Sequence, residues 1–200
     1  MQLTEIRVAG FGGQGVILSA ILLGKATSIY QGFFATMTQN FGPEARGGAC
    51  SAQLVLSDKA ILYPYITQPD ILVVMSQEAY LRFAPELKDG GIMIVEQDLV
   101  RVSDLDPSKE IQVYSVPATR IAEELGKRMV LNSVMVGFFT AVTGLVDVSA
   151  VRKAVEDSVP PSFLQLNLRA FDKGFEYGST ALSARPRIEE SAAHLEYARE

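Results

Sequence analysis

The stretch of sequence that decides the fold is residues 3–30, LTEIRVAGFGGQGVILSAILLGKATSIY. Residues 3–9 carry β-forming side chains and run directly into a cluster of glycines, which predicts a strand that ends in a tight turn. Residues 14–30 are apolar almost all round, which predicts a deeply buried helix. A strand, a glycine loop and a buried helix in this order indicate a Rossmann-like βα unit.

The rest of the chain extends this unit into a three-layer α/β domain. Short continuous apolar runs are typical of strands that are covered on both faces. This order of elements predicts a mixed, mainly parallel sheet, with an antiparallel second and third strand, and a helical C-terminal third. We predict further strands at residues 33–38, 49–56, 71–75, 92–95 and 111–116, and helices at residues 77–87, 118–126, 129–144, 149–157 and 162–178.

Composition predicts a boundary after Gly178. Residues 179–200 hold three Arg and four Glu, a larger charged fraction than in the preceding chain. We therefore predict one domain over residues 1–178 and a charged C-terminal tail over residues 179–200. For residues 189–199, a short helix that docks on a partner and a disordered segment both fit the sequence.

The counts of residue types limit the kinds of site that the chain can hold. The chain has 200 residues, with one Cys, one His, no Trp and a net charge of −5. One Cys cannot supply the roughly four thiolates of an iron–sulfur cluster, and one Cys with one His cannot form the usual zinc site. We predict no catalytic residue set and no metal site, and the acidic balance argues against a nucleic-acid partner.

No membrane span or signal peptide is predicted. The start, MQLTEIRVAG, lacks the basic region and the apolar region of a secretory signal. Residues 129–146 form an uncharged run of 18 residues, but the Asn, Ser, Thr and Gly residues within it favour a buried helix over a membrane span. The single Cys fits a reducing cytoplasm.

The glycine loop after the first strand is the first candidate binding site. Its glycines have the G-x-G-x-x-G spacing, which lets the backbone approach a ligand while the following helix offers free N–H groups to an anion. Contact with a phosphate or other anion, simple close packing of strand and helix, and NAD or FAD binding are three open readings. The candidate residues are Gly10, Gly12, Gly13, Gln14 and Gly15.

One part of the dinucleotide-binding pattern is missing. A ribose-binding acid is expected at the end of the second strand, about 20 residues after the glycines. Residues 36–40 read TMTQN and hold no acid. This absence disfavours NAD or FAD as the ligand.

A second candidate segment is residues 40–48, NFGPEARGG. Arg46 before two glycines can present a guanidinium beside free backbone N–H groups, which suits a phosphate or a carboxylate. The loops after the first two strands can lie close together, so the two glycine-rich loops can form one site. An ordinary turn with an exposed Arg, or an ion pair between Arg46 and Glu44, is the alternative. The candidates are Arg46, Gly47 and Gly48, with Gly42, Pro43 and Glu44 as further motif residues.

Asn132 is a further candidate, because it stands at the start of the long uncharged helix. We predict that its side chain caps this helix or bonds to a loop.

These motifs together carry a resemblance to a known family. The segments GFGGQGVILSA at residues 10–20 and FGPEARGGACSAQLVLSD at residues 41–58 are followed in order by Asn132 and Gly137. The chain resembles the gamma subunit of the 2-oxoacid:ferredoxin (or acceptor) oxidoreductases over roughly residues 4–175. The 2-oxoglutarate type is the most similar.

The resemblance implies an activity, cofactors and partners. The complex oxidatively decarboxylates a 2-oxoacid (2-oxoglutarate, pyruvate or a branched-chain acid) with coenzyme A, giving acyl-CoA and CO2, and reduces ferredoxin. Thiamine diphosphate lies between the alpha and beta subunits, and iron–sulfur clusters lie in beta and in a ferredoxin-like delta subunit. The gamma chain binds no cofactor tightly, and it packs beside the active site and shapes it. Its two glycine motifs are candidates for contact with coenzyme A phosphates.

A self-contained NAD- or FAD-dependent oxidoreductase, or a regulatory nucleotide-binding module, is the alternative function. The chain has no Gly-Asp-Gly thiamine motif and no cysteine cluster, so we predict that it is inactive alone. Its residues are 48% apolar and only 20% charged, which predicts apolar surface covered by partner subunits. The isolated chain is then expected to self-associate, for example as a homodimer, or to expose a large apolar patch.

Overall fold

The first βα unit forms as predicted. A computed structural model describes residues 2–42 and 48–184 of the chain. Strand β1 (Thr4–Phe11) leads through the glycine loop into helix α1 (Val16–Lys25), which a π-helical turn at Ala26–Tyr30 extends. Gly15 precedes α1 with a φ of 74°, a left-handed conformation that glycine adopts without strain.

The predicted strands and helices are all present, and most of their ends agree within about three residues. The other strands are β2 (Phe34–Phe41), β3 (Ala49–Ser57), β4 (Ile71–Val74), β5 (Ile92–Glu96) and β6 (Gln112–Val116). The other helices are α2 (Gln77–Phe83), α3 (Ala118–Glu124), α4 (Leu131–Thr143), α5 (Val148–Glu156) and α6 (Pro161–Ala184).

The six strands form one sheet in the order β2-β3-β1-β4-β5-β6. Strands β1, β4, β5 and β6 pair in parallel, whereas β3 pairs antiparallel with both β1 and β2. The prediction of a mixed, mainly parallel sheet is therefore confirmed, including its antiparallel pair.

Alternate side chains along the strands pack into two separate hydrophobic cores, one on each face of the sheet. In β1, Ile6 and Val8 face the larger core, to which α1, α3, α4, α5 and α6 contribute. Ala9 faces the smaller core, where α2 packs over β1 and β4. All four residues of β4 are buried, as expected for a strand with helices on both sides.

The uncharged run at residues 129–146 forms the buried helix α4, as predicted. Two glycines let α4 and α6 approach closely. A Cβ atom on Gly137 would lie 2.0 Å from the carbonyl oxygen of Phe171, and one on Gly174 would lie 2.0 Å from that of Val134. Within residues 2–42 and 48–184, no helix is both long and apolar enough to cross a membrane.

Helix α6 continues past the boundary that composition predicts. It ends at Ala184, six residues beyond Gly178. Residues 179–184 are uncharged and continue the helix, and the charges of the tail begin only at Arg185. Residues 185–200, with the predicted segment 189–199, lie outside the described residues.

Candidate functional site

The carboxyl ends of the neighbouring strands β1 and β4 lie side by side. The chain leaves these two ends toward opposite faces of the sheet. After β1 the chain turns to α1 on the face of the larger core, and after β4 it turns to α2 on the other face. In open α/β sheets, ligands bind in the crevice that this divergence leaves. The connection from β2 to β3 reaches the same end of the sheet, because β2 runs in the same direction as β1.

Gln14 fastens the glycine loop to the end of β4. Its Oε1 accepts a hydrogen bond from the N–H of Phe11 (2.6 Å), and its Nε2 donates to the carbonyl of Met75 (2.7 Å). Both ends of this side chain are therefore used within the chain, and its amide fixes the shape of the loop. Gly10 makes room for it, since a Cβ atom there would lie 2.5 Å from Gln14 Oε1.

The two glycine-rich loops touch, as the sequence predicts. The N–H of Gly12 donates to the carbonyl of Gly48 (2.9 Å), and the N–H of Gly42 donates to the carbonyl of Ala49 (2.7 Å). The two flanks of the second loop therefore lie beside the first loop. The remaining candidates of this loop, Pro43, Glu44, Arg46 and Gly47, lie outside the described residues.

Asn132 lies in the first turn of α4 without capping it, because the residue before this helix is Val130. The side chain of Asn132 is buried, with 2% of its surface exposed, and it packs against Gly15. Its Nδ2 has no hydrogen-bond partner among the described residues. A buried donor without a partner is rare, and this one lies beside the start of α1, where backbone N–H groups favour an anion.

A cleft of about 220 Å³ opens between the two loops and α2. Ligand pockets usually measure about 300–1,000 Å³, so this cleft can hold one part of a large ligand. The loops contribute Gly10, Phe11, Asn40, Phe41, Gly42, Ala49, Cys50 and Ser51, and the α2 side contributes Ser76, Glu78, Ala79, Arg82 and Phe83.

Two guanidinium groups, those of Arg7 in β1 and Arg82 in α2, flank the ring of Phe83 on the α2 wall of this cleft. The Cζ atoms of Arg7 and Arg82 lie 4.7 and 5.1 Å from the centre of the Phe83 ring. Arg7 is buried and ion-paired with Glu86, and its burial, followed by the positive charge of Arg82, lowers its pKa. Arg82 is exposed and makes no ion pair with another described residue. Its side chain lines the cleft and is exposed to solvent, and the carboxylate of Glu78 lines the same cleft.

Cys50 lines the cleft but is not an activated nucleophile. Its side chain is buried, and this burial raises the pKa of its thiol. Because the thiolate is the reactive form, Cys50 reacts slowly and acts as the small buried residue that the sequence predicts. In the part of the chain that the structure describes, no group of three or more His, Cys, Asp or Glu side chains could hold a metal ion.

The α2 wall of the cleft is not predicted by any motif of the sequence. Arg82 and Phe83 lie more than 60 residues from the glycine loop and belong to no motif of it. The one available signal was the charged pair Glu78 and Arg82, spaced four residues apart on one helix face, which is also common on solvent-exposed helices.

Comparison with known proteins assigns the family. The family model for pyruvate ferredoxin/flavodoxin oxidoreductase matches residues 5–177. The chain belongs to this family. Within the family it is similar to the 2-oxoglutarate synthase subunit KorC of Methanothermobacter thermautotrophicus, with 51% identity over 176 residues, which cover 86% of this chain and 93% of that subunit. The pyruvate synthase subunit PorC of Methanocaldococcus jannaschii is 34% identical over 179 residues, which cover 86% of this chain and 94% of that subunit.

A solved structure of the family agrees with this assignment. The gamma subunit of the keto/oxoacid ferredoxin oxidoreductase of Geobacter sulfurreducens is 38% identical and superposes with a TM-score of 0.76, covering 89% of this chain and 99% of that subunit. The predicted resemblance to gamma subunits of 2-oxoacid:ferredoxin oxidoreductases is confirmed. The chain is a subunit of this class of oxidoreductase, and other subunits are its partners.

The alternative of a self-contained NAD- or FAD-dependent enzyme has a geometric difficulty. In the dinucleotide fold, the ribose-binding acid ends the strand next to the first strand. Here β3 lies between β1 and β2, so the end of β2 is two strands, or about 9.6 Å, from β1.

Proposed function

We propose that the chain is the gamma subunit of a 2-oxoglutarate:ferredoxin oxidoreductase. The complex would convert 2-oxoglutarate and coenzyme A to succinyl-CoA and CO2, and pass the two electrons to ferredoxin. The observation that carries the choice of substrate is the identity of 51% with a 2-oxoglutarate synthase subunit, against 34% with a pyruvate synthase subunit. We further propose alpha, beta and ferredoxin-like subunits as its partners.

The donor groups of this chain do not suit the redox cofactors of such a complex. A cluster needs several thiolates, and the chain has only Cys50, which is buried and has a raised pKa. We infer that thiamine diphosphate and the iron–sulfur clusters are held by the partner subunits. The proposed role of the gamma chain is then to bind and orient coenzyme A.

We infer that the cleft between the glycine loops and α2 binds the phosphate-bearing part of coenzyme A. The exposed guanidinium of Arg82 supports this, because it lines the cleft together with Gly10 of the first glycine loop and Gly42 of the second. We include Arg46 and Gly47 in the proposed site because they belong to the second glycine-rich motif. The volume of about 220 Å³ suits one part of coenzyme A and leaves the remainder to a partner subunit. Holding the phosphates fixes where the thiol end can reach.

The test is the steady-state kinetics of the reconstituted complex with each 2-oxoacid in turn. We expect the largest kcat/KM with 2-oxoglutarate, and a larger value with pyruvate would reject the substrate assignment. Arg46→Ala is expected to raise the KM for coenzyme A while leaving the KM for the 2-oxoacid unchanged. An unchanged coenzyme A dependence would reject the role of Arg46 in phosphate binding.

The melting temperature of the purified chain tests the alternative function. A ligand at 100 times its Kd stabilises a protein by about 2.7 kcal/mol. We expect a rise with coenzyme A and none with NAD or FAD. Stabilisation by NAD alone would favour a self-contained dehydrogenase.

A further inference from the structure

A larger groove, of about 660 Å³, lies at the β6 edge of the sheet, between β6, α3 and the end of α6. Its floor and walls are mainly apolar. Phe138 and Tyr177 lie with their ring centres 6.0 Å apart, and Ile121 and Ala181 line the groove beside them. Tyr177 keeps 39% of its surface exposed. Neither the candidate site nor the proposed function uses this groove.

We propose that residues 185–200 of the same chain cover this groove. The described part of the chain ends beside this groove. Helix α6 ends at Ala184, and Ala184 itself lines the groove, so the C-terminal segment starts at the rim. Sixteen extended residues span about 50 Å, which is enough to cross a groove of this size. A short tether also gives the segment an effective concentration of about millimolar at the groove.

The segment also carries large apolar side chains that can fill an apolar groove. Residues 185–200 read RPRIEESAAHLEYARE, in which Ile188, Leu195 and Tyr197 are the large apolar side chains. Burying them against Phe138 and Tyr177 removes apolar surface of both partners from water. The charged residues between them would stay at the surface of the covered groove.

The rim of the groove and the first residues of the segment carry opposite charges. The rim carries the carboxylates of Glu124 and Glu176 against one ammonium, that of Lys173, which is 3.1 Å from Glu176. The groove is therefore net acidic. The segment begins with the two guanidinium groups of Arg185 and Arg187, which complement this charge where the chain leaves α6, whereas its four Glu residues all come later, from Glu189 onward.

The match to the family ends at residue 177, so the last two turns of α6 and the segment after them lie beyond it. Nine of the twelve residues that line the groove lie within this match, so the groove belongs mainly to the family domain, whereas the segment proposed to cover it lies beyond the match. Strand β6 is the outermost strand of the described sheet on this side. A segment over an edge strand prevents that edge from pairing with another chain. The inference does not depend on the proposed function.

Disulfide formation in the full-length chain tests this inference. Ser115 is an exposed residue of the groove, and Ser115→Cys is combined with Leu195→Cys. We expect an intrachain disulfide under mild oxidation, and at least tenfold less with the control pair Gln39→Cys and Leu195→Cys. Gln39 is exposed on β2, at the other edge of the sheet, and buried Cys50 reacts slowly in both variants. Equal yields in the two pairs, or a disulfide only between two chains, would overturn the inference.

Hydrogen exchange of the full-length chain provides a second measurement. We expect Ile188→Asp with Leu195→Asp to accelerate exchange at residues 177–184 at least tenfold. The control, Ala193→Asp with His194→Asp, adds the same number of carboxylates and should leave the exchange as in the original chain. Equal exchange in all three proteins would overturn the inference, as would protection that appears only when the partner subunits are added.

Discussion

Gly15 lies directly against Asn132, so that a Cβ atom on Gly15 would be 2.7 Å from both Cβ and Cγ of Asn132. Residue 15 also has a φ of 74°, which L side chains rarely adopt. It must therefore be glycine for two independent reasons. The contact holds the start of α1 against α4, and it places beside the glycine loop an amide donor that has no partner among residues 2–42 and 48–184.

Gly15→Ala is expected to lower the free energy of unfolding by about 3 kcal/mol, because it combines left-handed strain with a clash against a buried side chain. Gly13→Ala is the matched control. Residue 13 has a φ of 98°, but nothing lies within 4 Å of its Cβ position, so we expect a loss of only about 1 kcal/mol. Urea unfolding measures the free energy of unfolding of both variants. Equal losses would show that the contact with Asn132 does not contribute to the cost of Gly15→Ala.

The first βα unit, the order of the elements and the family motifs could be predicted, because each is encoded by residues that are close in sequence. The glycine loop needs only its own spacing, and β4 needs only a short apolar run between turns. The place of Asn132 could not be predicted in the same way. The sequence puts it at a helix start, which suggests capping, but its contact with Gly15 exists only because α4 packs beside α1, more than 100 residues away.

Only part of the cleft could be predicted, because its other part depends on packing between residues that are far apart in sequence. Its loops were identified, and the bond between Gly12 and Gly48 confirms that they meet. Its α2 wall, with Arg82 and Phe83, depends on the side of the sheet to which the chain turns after β4. Gln14 was expected to contact a ligand, whereas both ends of its side chain bond to the protein. No local pattern separates an amide that binds a ligand from one that fixes a loop.

Gln14→Glu tests whether this side chain positions the glycine loop. The carboxylate can still accept from Phe11 but can no longer donate to Met75, so we expect a loss of about 2 kcal/mol in stability. In the reconstituted complex the KM for coenzyme A should rise, with the KM for the 2-oxoacid unchanged. Gln77→Glu is the control, since Gln77 makes a similar pair of bonds with the backbone of Arg101 without lining the cleft. A rise in the coenzyme A KM of both variants would argue against a specific role for Gln14.

Arg82→Ala is expected to raise the KM for coenzyme A about tenfold, the size of one charge-assisted hydrogen bond. Because Arg82 is exposed, the effect should decrease as the salt concentration rises. Arg101→Ala removes an exposed Arg that does not line the cleft, and it should leave the KM unchanged. If Arg82→Ala behaves like Arg101→Ala at low salt, the α2 wall does not bind the phosphates.

The ion pairs of Lys88 give stability a defined dependence on pH. Its Nζ lies 2.7 Å from Glu5 Oε2 and 2.8 Å from Asp70 Oδ1. Desolvation lowers the pKa of Lys88, but the hydrogen bonds to Asp70 and Glu5, with their charges, outweigh it and raise that pKa overall. A group with a raised pKa stabilises the fold fully below its unfolded pKa, about 10.4 for Lys, and this contribution is lost as the pH rises through the folded value.

Lys88→Met is therefore expected to cost about 1 kcal/mol at pH 7, the usual size for a partly exposed pair. Urea unfolding between pH 7 and 11 should show a constant difference from the original chain up to about pH 10, and a smaller one above it. A difference that grows with pH would mean that the ammonium is not what stabilises this site.

The close crossing of α4 and α6 predicts that substituting its glycines lowers the free energy of unfolding. A Cβ atom on Gly137 or Gly174 would lie 2.0 Å from a backbone carbonyl oxygen of the other helix, so neither contact can be relieved by rotating a side chain. Gly137→Ala and Gly174→Ala are each expected to cost about 3 kcal/mol, because the helices must separate and open the larger core. Gly24→Ala is the control within a helix. Its Cβ would meet only Leu54 Cδ1 at 3.2 Å, and alanine favours the helix by about 1 kcal/mol, so we expect little change. Thermal or urea unfolding of the three variants would contradict this packing argument if Gly24→Ala proved as damaging as the other two.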